Sequence, residues 1–204
     1  MASDVRMKKA FSEGRDLHSV TASYLLGKPE TESVTDSQRQ MAKAVNFGLI
    51  FGMGARGLSF YAQNNFQVEM DEASAATVRR RYFEAYSGIK KWHELQSKKL
   101  ETRTIIGRHR ILEGERDYTN RLNSPIQGSA ADGLKLALIK LWETRHMVNA
   151  YPVLTVHDEI VIEAPKEQTQ KTTEWLKQCM EEGMGEFLRE VPVTVDVTVK
   201  ESWG

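Results

Sequence analysis

The chain has 204 residues, of which 40% are hydrophobic and 27% charged, a size and composition suited to one globular core or two small lobes. It holds no apolar run of the ~18 residues that a membrane span needs, and no charged-then-apolar leader follows Met1, so neither insertion nor secretion is expected. Lys+Arg and Asp+Glu both total 28, so net charge gives no hint of nucleic acid, yet Arg79, Arg80, Arg81, Lys90, Lys91, Lys98, Lys99, Arg103, Arg108 and Arg110 crowd the middle third while acidic residues gather after Glu159, the segregation needed to grip a polyanion and also hold cations, although each basic residue taken singly is more simply part of a solvated helix face.

The first thirty residues predict helices broken near Gly27-Lys28-Pro29. Thr35-Asp36-Ser37-Gln38 has the pattern of a capping box, in which the hydroxyl and the Gln satisfy exposed amides, and opens a helix to about Phe51, ended by Gly52, Gly54 and Gly57. Helical spacing returns from Asp71 to about Tyr86, breaks at Ser87-Gly88 and resumes to about Glu101. A second capping box at Ser124-Pro125-Ile126-Gln127, with proline at the first helical position, predicts a helix to His146 that buries Leu134, Leu138 and Leu141. Val153 to Val156 and Glu159 to Ala164 are β-branched runs around His157-Asp158, hence a hairpin with those two residues at its tip. A helix from about Lys166 to Leu188 carries the single cysteine, Cys179, expected as a buried thiol in a reducing cytoplasm. A strand from about Val193 to Val199 closes an α+β chain, helical first and then mixed with an antiparallel sheet.

Arg39, Lys43, Phe47 and Phe51 recur every fourth residue, so they stay on one slowly turning helix face about 18 Å long. That is about the length of a nucleoside triphosphate, with cations at one end for phosphates and rings at the other for a base. Gly48 costs the helix about 1 kcal/mol against alanine and suggests the close approach of something flat beside Phe47. An ordinary amphipathic helix with surface cations and core aromatics accounts for the spacing equally well. At the hairpin tip, Asp158 is the candidate ligand for a hard divalent cation, with Glu159 a second candidate whose side chain should point to the other face. Taken alone, that tripeptide is more simply a polar turn.

The segment from Arg39 to Gly52 resembles the nucleotide-binding helix of the DNA polymerase I family, or family A. That motif is Arg, three residues, Lys, three residues, Phe-Gly, two residues, an aromatic and Gly. Glu13 to Ala22, Asn123 to Asp132 and Thr155 to Val161 are similar to three further segments of that family. The resemblance covers about Phe11 to Trp203 and implies a helical fingers subdomain over residues 1–115, followed by the C-terminal half of a polymerase palm over 116–204. It implies that His18, Arg39 and Lys43 hold the triphosphate, with Lys43 also a proton donor to the departing pyrophosphate. Phe47 and Phe51 would stack, Asn123 and Gln127 would read acceptors common to all base pairs in the minor groove, and His157 would lie against the primer end. Asp158 would bind both of two Mg2+ ions. Gln127 has a competing role in its capping box, and Arg108, His109 and Arg110 are weaker candidates for the DNA backbone. One departure stands out: the last aromatic, usually tyrosine in the family, is Phe51, which can stack but cannot donate a hydroxyl hydrogen bond.

The family's other palm motif, which carries a first catalytic aspartate, has no counterpart in these residues. The expectation is therefore a catalytic fragment or split subunit, inactive as an isolated chain. A second polypeptide would carry the rest of palm and thumb, and primer-template DNA and deoxynucleoside triphosphates would be the remaining partners. Two rivals remain: a non-catalytic DNA- or nucleotide-binding remnant, which would have no need of Asp158, and a piece of a single-subunit RNA polymerase, against which Glu159 and Gln127 speak.

Overall fold

The computed structural model describes residues 1–30, 32–114 and 117–203. It is an α+β chain with helices α1 (Val5–Ser12), α2 (Leu17–Leu26), α3 (Asp36–Ile50), α4 (Ala55–Phe66), α5 (Glu72–Ala85) and α6 (Ser87–Gln96). A short hairpin follows, β1 (Glu101–Arg103) with β2 (His109–Ile111), and then α7 (Tyr118–Thr144), a second hairpin of β3 (Tyr151–Val156) with β4 (Glu159–Glu163), and α8 (Thr169–Gly185). Two compact units divide it: Met1–Arg103 with His109–Pro125, and Thr104–Arg108 with Ile126–Gly204. No helix of the described residues is long and apolar enough to cross a membrane.

Local chemistry explains most boundaries in the first unit. Asp4, Asp16, Thr35 and Asp71 each sit in extended backbone and accept from amides of the helix that follows, which satisfies donors the helix cannot. At Thr35 the box is complete, since Gln38 also accepts from the Thr35 amide at 3.0 Å. Gly27 closes α2 in left-handed conformation, φ 67°, as the Gly-Lys-Pro break predicts. The core of this unit joins Leu25, Val45, Leu49, Leu58, Tyr82 and Tyr86, so α3 is sandwiched in apolar contacts while Arg39 and Phe47 stay outside. Burial pushes the Tyr86 phenol up to about 12 and that of Tyr82 further still.

The end of α3 is held by an unanticipated histidine. His93 on α6 is buried and its Nε2 donates to the Ile50 carbonyl at 2.9 Å, one of the carbonyls a helix end leaves open. Burial, and secondarily Arg79, hold its pKa below the usual 6.5, against the raising effect of the Ile50 carbonyl. The unfolded chain therefore binds the proton more readily, so this contribution to stability is complete above about pH 6.5 and is lost as pH falls through the folded value. We expect the urea midpoint to drop between pH 7 and pH 5, and the drop to shrink in His93→Gln, whose amide can still donate to Ile50. An identical drop in the variant would refute this assignment.

In the second unit, Ala137, Leu141, Ile160, Trp175, Leu176 and Cys179 form the core, with Leu134 and Leu138 packed at its edge. A Cβ on Gly183 of α8 would lie 2.6 Å from the Ala137 amide nitrogen, so only glycine lets α8 approach α7 this closely. Cys179 is buried, its Sγ 3.8 Å from Thr144 Oγ1, and burial raises its pKa.

Several expectations are corrected. The second capping box does not form: α7 starts at Tyr118, six residues before Ser124, and Pro125 lies inside it. Tertiary contacts outweigh the local signal, because Leu122 is fully buried and Arg121 donates to the carbonyls of Lys99 and Gly114 at 2.9 and 2.8 Å. Ser124 instead accepts from Arg110 at 3.1 Å, so Gln127 has no capping duty. Helix α6 stops at Gln96, where residues 101–103 pair with 109–111 as strands. Residues 193–198 keep the alternating burial of a strand, but 193–199 form no ladder among the described residues; the Val195 amide donates to Glu181 Oε1 at 3.3 Å. Helix α4 had no forecast.

Candidate functional site

In the first unit, α2 and α3 bring His18, Arg39, Lys43 and Phe47 together. The Arg39 guanidinium makes a two-point contact with Asp16, Nε to Oδ2 at 2.9 Å and Nη2 to Oδ1 at 3.0 Å. Asp16 Oδ2 also receives the Ser19 amide at 2.9 Å and hydroxyl at 2.6 Å, so one carboxylate caps α2 and fixes the plane of Arg39. Those bonds, Arg39 first, hold the Asp16 carboxyl well below the usual range. The Nε edge of Arg39 is thereby used, and the Nη1 group carries no bond to another described residue. Lys43, one turn further along, is half-buried.

The His18 ring lies 5.9 Å from that of Phe47, tilted by 46°. Burial lowers the His18 pKa, Asp16 raises it, and Arg39 and Lys43 lower it again. The ring thus favours its neutral form at pH 7. Phe47 is 46% exposed, beside buried Val45 and Leu49. Phe51 is the residue capping α3 and is half-buried.

Gly48 gets a different explanation from the one the sequence offered. It is buried, and a Cβ there would meet Leu58 Cδ1 at 3.1 Å and Met53 Sδ at 3.3 Å. The close neighbour is α4, which accounts for the glycine without a base. Gly52, with φ +82°, is stricter: a Cβ would lie 2.5 Å from the Tyr118 ring.

Asn123 and Gln127 lie one turn apart on α7, Asn123 half-buried and Gln127 exposed. Asn123 Oδ1 is shielded from solvent and has no partner among the described residues. Of the three weaker basic candidates, Arg108 pairs with buried Asp132 at 2.9 Å, Arg110 donates to Ser124, and His109 Nδ1 is 3.8 Å from Glu101.

In the second unit, the β3–β4 register pairs Val156 with Glu159 and leaves His157-Asp158 as a two-residue turn. His157 has φ 54°, a left-handed conformation that side chains other than glycine seldom hold. Asp158 and Glu159 are exposed. Glu159 Oε1 accepts from the Trp203 indole at 3.1 Å, so one of its oxygens is engaged. Asp158 is therefore the less encumbered of the two carboxylates. The described residues contain no cluster of three or more His, Cys, Asp or Glu able to hold a metal. Asp16 and Asn46, which hold Arg39 and His18, were missed in the sequence; an aspartate immediately before a helix was the available signal for the first.

The whole chain, residues 1–204, matches DNA polymerase family A, and the chain belongs to that family. DNA polymerase I of Aquifex aeolicus is 39% identical over 207 residues, an alignment covering 98% of this chain and 36% of that protein. The thermostable DNA polymerase I of Thermus aquaticus is 34% identical over 216 residues, covering 100% of this chain and 25% of that protein. Among solved structures, the POL domain of Pol1 from M. smegmatis, in complex with DNA primer-template and dNTP, matches with a TM-score of 0.76 and 31% identity, over 94% of this chain and 35% of that one. The chain thus spans roughly a quarter to a third of the relatives it matches, and its α+β fold corresponds to their fingers and palm region.

Proposed function

We propose that these residues form the nucleotide-binding and part of the catalytic portion of a DNA-directed DNA polymerase that adds deoxynucleotides to a primer 3′ end. The observation that carries this reading is the face of α3, where Arg39, fixed by Asp16, and Lys43 precede an open Phe47 ring that lies beside His18. Family membership and the M. smegmatis domain, solved with primer-template and dNTP, support it. The fingers would extend over 1–115 and the palm portion over 116–204.

In the reaction, the primer 3′-hydroxyl gives up its proton to solvent, its oxygen attacks the α-phosphorus of the incoming triphosphate, and the bond to pyrophosphate breaks. Arg39, Lys43 and His18 hold phosphate oxygens as charge moves onto the leaving group, and Lys43 delivers its proton there. Phe47 stacks on the incoming nucleotide and Phe51 at the template position, while Asn123, Gln127 and His157 bear on the primer end. Asp158, with Glu159 assisting, would hold Mg2+, and bound divalent cations would supply neutralisation of charge at the attacking and leaving oxygens. A further carboxylate is required for a two-ion site, from additional sequence of the same polypeptide or from a second one.

The test is Mg2+-dependent primer extension by the natural polypeptide or assembly containing these residues, supplied with deoxy- or ribonucleotides. Extension with a strong deoxynucleotide preference is expected. DNA binding without incorporation, or a preference for ribonucleotides, would displace this reading.

A further inference from the structure

The polar residue Asn46 lies among apolar neighbours on α3 and is 3% exposed, an expensive location unless its amide is used. Its Nδ2 is 3.0 Å from His18 Nδ1 and 3.1 Å from Thr21 Oγ1. Thr21 is fully buried; its hydroxyl lies 2.8 Å from the Leu17 carbonyl, which can only accept, and 2.7 Å from the Tyr86 hydroxyl, which can donate in return. The Thr21 hydroxyl also lies 3.1 Å from Asn46 Oδ1, so its proton has the Leu17 carbonyl and the Asn46 oxygen as acceptors, while the end of the Asn46 amide turned to His18 is its NH2 group, which donates to Nδ1. A neutral imidazole whose Nδ1 accepts carries its proton on Nε2.

We propose that Asn46 is a positioning residue that fixes His18 as the Nε2–H tautomer, so that the ring presents a neutral N–H donor rather than an imidazolium. Resting on the proposed function, the acceptor would be a phosphate oxygen of the incoming nucleotide. The charged groups facing the ring are Asp16 beside its own helix and Arg39 and Lys43 on α3, and the two cations together with burial oppose a third positive charge. A neutral donor can sit between Arg39 and Lys43 and still hydrogen-bond an anion. The contact would then persist through the pH range in which a free histidine loses its charge.

The direct test is the 15N pattern of the His18 ring in the 204-residue chain at pH 7.5, assigned with His18→Gln. An unprotonated Nδ1 with a protonated Nε2 is expected; an Nδ1–H signal, or an imidazolium, overturns the proposal. In Asn46→Asp, nearly isosteric but with a carboxylate that only accepts, Nδ1 should become protonated; a pattern unchanged from wild type also overturns it. Binding of inorganic triphosphate, compared with His18→Gln so that the ligand's own titration cancels, should keep an affinity ratio within about twofold from pH 6 to 8, against a change of about tenfold for a charged contact that titrates away. The tenfold change would overturn the neutral-donor assignment. If the Nε2–H pattern holds but triphosphate does not bind, the tautomer assignment stands and the phosphate reading fails.

Discussion

Replacing Asp158 with alanine is expected to lower primer extension by the natural polypeptide or assembly containing these residues by about 10³-fold or more, with little change in folding. The magnitude follows from the several kcal/mol a bound cation contributes to transition-state charge, at 1.36 kcal/mol per tenfold in rate. The structural side is mild because Asp158 is exposed at a turn. Asp158→Asn keeps the shape of the turn and removes the charge, so it should be almost as slow. Glu159→Gln should cost less, since one Glu159 oxygen is already engaged by Trp203. Single-turnover extension with saturating nucleotide reads the difference; rates for Asp158→Ala near those of wild type would end the metal-ligand assignment.

The two cations of α3 should separate in the kinetics. Arg39→Ala is expected to weaken deoxynucleotide binding by about 10- to 100-fold, the range for a hydrogen bond to a charged group, with a smaller effect on the rate at saturation. Arg39→Lys should rescue little, because a point charge cannot keep both the Nε edge on Asp16 and a free edge for phosphate. Lys43→Ala should act chiefly on the rate, by about 10²- to 10⁴-fold if it is the proton donor. Equal losses in affinity and rate for both variants would mean that they share one binding role and that proton donation lies elsewhere.

What the sequence revealed depended on the range of the forces involved. Thr35 and Gln38 satisfy each other within one helical turn, so the start of α3 could be read from four letters. The tip of the second hairpin was equally legible, because β-branched runs on both sides leave His157-Asp158 as the turn. Ser124 to Gln127 carried the same local signal as Thr35 to Gln38, yet Leu122 and Arg121 find partners far along the chain and draw the helix start back to Tyr118. The face bearing Arg39, Lys43, Phe47 and Phe51 could be counted by fours. The residues that set its chemistry could not, since Asp16 is 23 positions from Arg39 and Asn46 is 28 from His18. Gly48 shows the same limit: spacing says that something comes close, and packing supplies Leu58 as one such neighbour.

The lone thiol of the chain, enclosed with Trp175 and Leu176, makes a built-in clock. A reagent that alkylates cysteine can reach Cys179 only when that interior transiently parts, so the labelling rate under native conditions measures how often the second unit breathes. Because the first unit contains no cysteine, the readout is specific to one half of the molecule and needs no engineered probe.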